Sequence, residues 1–146
     1  MRYTSKTKPM KNLLKLTSAL VLFSILFAAC KKYPEGPALT VRTATHRVVN
    51  TWKAENVTMN STDVTSAYAN ANYTETYDKD GNYSYNTSLG GGSGKWAFQN
   101  NKKEIKRNGV SGQSSVDMTI LKLKEKEFWF KFTDNGDNYE FHMIPN

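Results

Sequence analysis

Residues 116–143 read VDMTILKLKEKEFWFKFTDNGDNYEFHM, and this stretch decides the fold. Apolar and polar residues alternate with a period of two, the period of a strand with one buried face. The pattern predicts strands over 116–124 and 127–133, joined by a tight turn at Glu125-Lys126. In that register Leu123 faces Phe128, Leu121 faces Phe130, Lys122 faces Trp129 and Lys124 faces Glu127. Asp134-Asn135-Gly136-Asp137 makes the next turn. Phe132 then meets Tyr139, Phe130 meets Phe141, Phe128 meets Met143, and Lys131 meets Glu140. Two hairpins so aligned give one apolar face and one polar face with opposite charges across strands, an arrangement in which the pairs fix the register. Trp129 falls on the polar face, where it is expected to stack on Lys122 or His142.

The same period runs upstream. His46 to Met59 reads as a first strand with Trp52 as its buried anchor. Asn60 to Asn72 is rich in Ser, Thr and Asn; it reads either as a short helix capped by Asp63 or as a loop. Tyr73 to Tyr77 alternates into Asp78-Lys79-Asp80-Gly81-Asn82, whose Asp-Gly pair favours a hairpin turn. Tyr83 and Tyr85 alternate on the return strand. Leu89 to Gly94 (LGGGSG) reads as a flexible loop. Strands around Trp96 and Phe98 and around Ile105 follow, and Asn108-Gly109 opens a loop. About eight strands result, with hairpin connections and no long helix. An antiparallel sheet of this kind exposes two edges unless it closes, so an all-β, up-and-down barrel is expected. Eight strands enclose just enough room for packed side chains or one small ligand.

The other end of the chain carries a different signal. Leu13 to Cys30 reads LLKLTSALVLFSILFAAC, ending in the only cysteine. The apolar run from Ala19 to Ala29 falls short of the roughly 20 residues that span a bilayer. It suits the apolar core of a signal peptide. Arg2, Lys6, Lys8, Lys11 and Lys15 precede it with no acid, and translation starts at Met1 or at Met10. Phe27-Ala28-Ala29-Cys30 resembles a lipobox, in which small residues precede a cysteine that is diacylglycerated and becomes the mature N-terminus. A lone cysteine has no disulfide partner within the chain, so lipidation of Cys30 accounts for it. The division expected is a signal peptide over 1–29, a lipidated N-terminus and extended tether over 30–45, and a barrel over 46–146. Tyr33 to Pro37, with two prolines and a glycine, is expected to stay outside the core.

Charge excludes one class. The chain has 20 basic and 13 acidic residues, but five of the basic ones and none of the acids precede Cys30. The mature part therefore holds fifteen against thirteen, a net +2. With no basic patch interleaved with aromatics, no nucleic-acid partner is expected.

Four short motifs carry a family resemblance over residues 46–146. They are Asn50-Thr51-Trp52-Lys53, Asp80-Gly81-Asn82-Tyr83, Gly94-Lys95-Trp96, and the hairpin from Leu121-Lys122-Leu123 to Glu127-Phe128-Trp129-Phe130. Together they make the chain similar to the lipocalin-like domains on lipoproteins of the Bacteroidota. Asn50 stands where the Gly-x-Trp signature of true lipocalins has its glycine. The resemblance implies a barrel on a lipid anchor and no catalytic residues.

No cofactor and no metal is expected. Asp78 to Asn82 places its glycine fourth and Leu89 twelfth, against the sixth-position glycine and twelfth-position glutamate of a calcium loop. His46 and His142 lack a fixed acidic third ligand. No serine sits in a Gly-x-Ser-x-Gly elbow, and Gly90 to Gly94 lacks the Lys-Ser/Thr of a phosphate loop. The chain thus reads as a non-enzyme, although distant residues converge in folds. Trp52, Tyr77, Tyr83, Trp96, Phe98, Phe130 and Phe141 are the candidate lining of a barrel interior that holds a small hydrophobic ligand. The alternative is a filled barrel that docks on an envelope protein through Trp129 and the glycine-rich segment. Lys31 after the cysteine favours the outer membrane, and Lys31-Lys32-Tyr33-Pro34 lacks the acids associated with surface display, favouring the periplasmic face.

Overall fold

A computed structural model describes residues 32–36, 40–109 and 115–146. Cys30 and the signal peptide expected over 1–29 lie outside them. Eight antiparallel strands close into a barrel: β1 (Asn50–Met59), β3 (Thr74–Tyr77), β4 (Asn82–Thr87), β5 (Gly90–Gln99), β6 (Glu104–Asn108), β7 (Val116–Leu123), β8 (Phe128–Asp134) and β9 (Asp137–Pro145). Each pairs with the next, and β9 pairs back onto β1 through Trp52–Met59 and Tyr139–Pro145, which removes the sheet edges. A two-residue strand, β2 (Thr62–Asp63), folds onto the end of β1. Among the described residues no helix is long and apolar enough to cross a membrane.

The C-terminal hairpins form much as their alternation dictates. Phe128 pairs with Met143, Phe130 with Phe141, Lys131 with Glu140 and Phe132 with Tyr139. One pairing differs. Ile120, not Leu121, lies opposite Phe130, because a bulge at Leu121 interrupts the ladder before Lys122 meets Trp129. The extra residue lets Ile120 and Leu123 both point inward. Leu121 is buried instead under the N-terminal segment, where its carbonyl accepts from Glu35 N at 2.9 Å. Consecutive apolar residues at Ile120-Leu121 are the break in alternation that marks it.

That segment corrects a second expectation. Tyr33 lies inside the core, at 2% exposure, and its hydroxyl donates to the Lys102 carbonyl at 3.0 Å. The Arg47 guanidinium sits 5.9 Å from its ring centroid. Arg47 itself belongs to a short helix, α1 (Ala44–Val48), in place of the strand expected from His46. Thr43 starts that helix by accepting from His46 N, and the Arg47 guanidinium donates to the Leu123 carbonyl. Trp52 Nε1 donates to the Val48 carbonyl at 2.8 Å. The helix, Tyr33 and Trp52 together seal one end of the barrel, the end that carries the turns at residues 78–81, 100–103 and 124–127.

The glycine-rich segment is also strand rather than loop. Gly90 to Gln99 forms β5, with Gly92 opposite Tyr85 and Gly94 opposite Tyr83. Aromatic rings across the ladder compensate for glycines that bring no side chain of their own. Gly91 has a specific reason to be glycine: a Cβ there would lie 2.3 Å from the Tyr85 carbonyl oxygen. At Gly81, φ is +78°, as the Asp-Gly turn requires. Between β2 and β3 the alternative left open resolves to a helix, α2 (Thr65–Asn70), whose N-cap is Val64 without a side-chain cap rather than Asp63; Asp63 Oδ1 accepts from Thr65 N at 2.8 Å in the turn before it. It lies across the other end of the barrel, the mouth.

Candidate functional site

The lower barrel is solid. Trp52, Tyr77, Phe128, Phe130 and Phe141 are buried to 2% exposure or less. Phe128 contacts Trp52 at 5.6 Å, Tyr77 at 5.7 Å and Phe130 at 4.9 Å between ring centroids. Phe130 stacks on Phe141 at 5.3 Å. Trp96 packs edge-on to Tyr77 and donates from Nε1 to the Asp78 carbonyl, and half-buried Phe98 leans on Trp96. Of the seven residues expected to line a ligand space, Trp52, Tyr77, Trp96 and Phe130 are thus core, and Phe98 packs against it half-buried.

The mouth is not filled. A cavity of about 190 Å³ opens there, bounded by Tyr83 and Phe141 from the expected set and by Tyr68, Tyr73, Tyr85, Arg107, Val116, Phe132, Asp134 and Tyr139. Its walls come from opposite sides of the barrel: Tyr85 stacks on Tyr73, and Phe132 stacks on Tyr139 at 5.2 Å. Tyr68 of α2 reaches over the rim, edge-on to Phe141 at 5.0 Å and to Tyr73 at 5.2 Å. Larger hollows exist on the outer wall, such as one of about 460 Å³ beside Thr58, Thr119, Lys131 and Glu140. That hollow is lined mainly by residues of β1, β7, β8 and β9 and includes neither Glu75 nor Arg107. The mouth cavity differs in having a buried ionic network for a floor.

That network joins Glu75 of β3, at 1% exposure, and Arg107 of β6, at 7%. Arg107 Nη1 donates to Glu75 Oε1 and to Tyr83 Oη, each at 2.7 Å. Tyr73 donates to Oε1 at 2.6 Å, Tyr77 to Oε2 at 2.7 Å and Tyr83 to Oε1 at 3.3 Å. Four donors on one carboxylate, among them a guanidinium, offset the cost of burying it. The Arg107 guanidinium also lies 4.8 Å from the Tyr83 ring and 5.5 Å from that of Phe132. Burial, the largest single influence on Arg107, would lower its pKa, but Glu75 together with Tyr77, Tyr83 and Tyr73 outweighs it and holds the group above its ordinary value. Burial, then Glu75, pushes the hydroxyls of Tyr73, Tyr77 and Tyr83 well up.

The tyrosines set an alkaline limit. A phenol whose pKa is higher folded than unfolded stabilises the fold fully below the unfolded value, about 10, and less as pH rises beyond it. Stability is therefore expected to fall from about pH 10 upward, with tyrosinate absorbance and loss of near-ultraviolet circular dichroism rising together. Titration of all tyrosines before any structural change would contradict the network.

Sequence reasoning missed Glu75 and Arg107. The alternation that puts Tyr73 and Tyr77 on one face puts Glu75 between them, and Arg107 shares a face with Ile105. A charge of each sign on the apolar face of two strands is the signal that was present. The histidines have separate partners: His46 Nδ1 contacts Thr43 Oγ1, and His142 Nε2 contacts Glu140. Among the described residues no three His, Cys, Asp or Glu side chains group as metal ligands. Trp129 stacks on His142 at 3.9 Å with Lys122 Nζ 3.2 Å from its centroid, so both expected partners hold it. Its ring is engaged rather than presented as a free anchor.

The chain matches no model of a known protein family and no curated protein.

Proposed function

We propose that this protein is a lipid-anchored lipoprotein of the cell envelope whose lipocalin-like barrel binds one small, largely apolar molecule in its mouth. The observation that carries the reading is the aromatic mouth cavity, open above a solid core. Ligand sites are concave and combine apolar walls with a few convergent polar groups. Here aromatic rings supply the walls, and their hydroxyls with Arg107 and Asp134 make the exposed lining more polar than apolar. At about 190 Å³ it is smaller than the roughly 300 Å³ at which drug-sized sites begin, so the occupant is a single-ring molecule rather than a long-chain lipid. Binding is favoured over catalysis because the buried carboxylate of Glu75 is itself tied up, accepting from Tyr73, Tyr77, Tyr83 and Arg107.

The anchor rests on the apolar run and on Phe27-Ala28-Ala29-Cys30. Residue 30 precedes the buried Tyr33 by three positions, at most about 11 Å of extended chain. A lipid there holds the sealed end of the barrel toward the membrane and leaves the mouth facing away. Outer-membrane attachment on the periplasmic side is the location we assign, from Lys31 and the absence of following acids.

One experiment tests both halves on protein recovered from membranes. Intact mass is expected to show acyl chains on Cys30. Titration with toluene is expected to shift the ring resonances of Tyr85, Phe132 and Tyr139 saturably, and Val116→Trp, which fills the mouth, to abolish the shifts. An unmodified cysteine removes the anchor. Shifts that ignore Val116→Trp, or none at all, remove the binding site.

A further inference from the structure

The floor of the mouth cavity has spent its hydroxyl donors but not all of its N–H donors. Both oxygens of Glu75 already accept, three bonds on Oε1 and one on Oε2, and the hydroxyls of Tyr73, Tyr77 and Tyr83 already donate. Arg107 spends only Nη1. Its Nε and Nη2 meet no acceptor among the described residues, and they are not sealed off, since Trp129 Nε1 is the one sealed, unpartnered side-chain nitrogen there. Arg107 borders the cavity. Hydroxyl and carboxylate lone pairs remain on the floor, but its only unspent donors are the N–H groups of Arg107, and a bare donor in a buried site calls for an acceptor.

Charge narrows the acceptor. The cation of Arg107 is already matched by Glu75 at 2.7 Å, so it brings no net positive charge to the cavity. Asp134 lines the rim, and the described turns around the mouth hold Asp63, Asp134 and Asp137 with no Lys or Arg. An incoming carboxylate or phosphate meets net negative charge in a site of low dielectric. A neutral oxygen does not. The facing walls of stacked rings select a flat body, which they hold by offset or edge contacts.

We propose that the cavity takes a neutral aromatic carbonyl compound, a single ring bearing a keto, aldehyde or amide oxygen, with that oxygen directed to Nε and Nη2 of Arg107. This names the ligand class of the site proposed above and rests on that reading. The acceptor oxygen enters first, the ring lies between Tyr85 and Phe132, and Tyr68 covers the outer edge.

The test is a titration of the full lipidated protein with benzamide, acetophenone, benzoate and toluene at matched aqueous activity, read from mouth ring resonances. Benzamide and acetophenone are expected to bind at least tenfold tighter than toluene and than benzoate. Arg107→Met alone leaves Glu75 without its counter-charge, so the Glu75→Gln/Arg107→Met double variant serves as the folded control. In it the carbonyl advantage over toluene is expected to vanish while toluene still binds. Benzoate binding tighter than benzamide overturns the neutral-ligand assignment. Toluene binding as tightly as benzamide, unchanged by the double variant, overturns the role of Arg107 but leaves the apolar site standing. Binding of none of the four overturns both this inference and the site.

Discussion

Trp52→Ala is expected to destabilise the domain by about 3–5 kcal/mol, the range for emptying a fully buried tryptophan site. Trp52 is 0% exposed, touches Phe128 and donates to the Val48 carbonyl at 2.8 Å. The truncation leaves a void at the sealed end and orphans a carbonyl of α1, which adds about 1 kcal/mol where no water replaces the donor. Domains of this size have about 5–15 kcal/mol in all, so the loss takes a large share. A melting point lower by on the order of 20 °C is expected in thermal denaturation. Because α1 and Tyr33 lean on the same end, hydrogen exchange at residues 44–48 is expected to accelerate with it. A loss below about 1 kcal/mol would mean that the end collapses around the void, and that Trp52 is not what closes it.

Trp52 was legible as an anchor because a lone tryptophan on the inward face of an alternating strand brings more apolar area to bury than any neighbour there. The same rule delivered Phe128, Phe130 and Phe141 with their pairings between β8 and β9, since there the alternation, the Asn-Gly turn and the cross-strand charges agree. Failures came where a local rule met a tertiary one. Gly90 to Gly94 has the composition of a loop, yet pairing with Tyr83 and Tyr85 makes it strand. Tyr33 sits between residues that favour extended chain, and only the surface built by residues 47 and 102, distant in sequence, buries it. Leu121 slipped one place because a bulge leaves no mark except two apolar residues in a row. The mouth was the least legible part. Its walls come from α2, from Tyr73 just before β3, and from β4, β6, β7, β8 and β9, and whether they leave a gap or fill it depends on side-chain volumes at a height no single strand encodes. Seeking the lining among the aromatic residues reached the cavity only at Tyr83 and Phe141, because the greasiest positions are mostly the ones that pack.

Glu75→Gln is expected to cost about 3–5 kcal/mol by itself, the penalty for stranding a buried charge. The amide keeps an acceptor for the tyrosines but removes the counter-charge from Arg107, which is 7% exposed and bonded to Oε1 at 2.7 Å. Arg107→Met is expected to cost less, since Glu75 retains the hydroxyls of Tyr73, Tyr77 and Tyr83. A carboxylate held by several donors tolerates the loss of one better than a guanidinium tolerates the loss of its only anion. Combining the two changes removes both charges and leaves a neutral hydrogen-bonded cluster, for which replacement of a buried pair by groups of similar volume is often close to neutral. The double variant is accordingly expected to be more stable than Glu75→Gln alone, with a coupling of about 2 kcal/mol or more in urea denaturation, within the range for residues in one network. Strict additivity of the two single changes would show that the pair does not act as a unit, and the charge-matched Arg107 proposed to select a neutral ligand would lose its basis. A double variant that regains stability but loses the carbonyl preference separates the two roles of Arg107: the charge balances Glu75, and the unused N–H groups face the ligand.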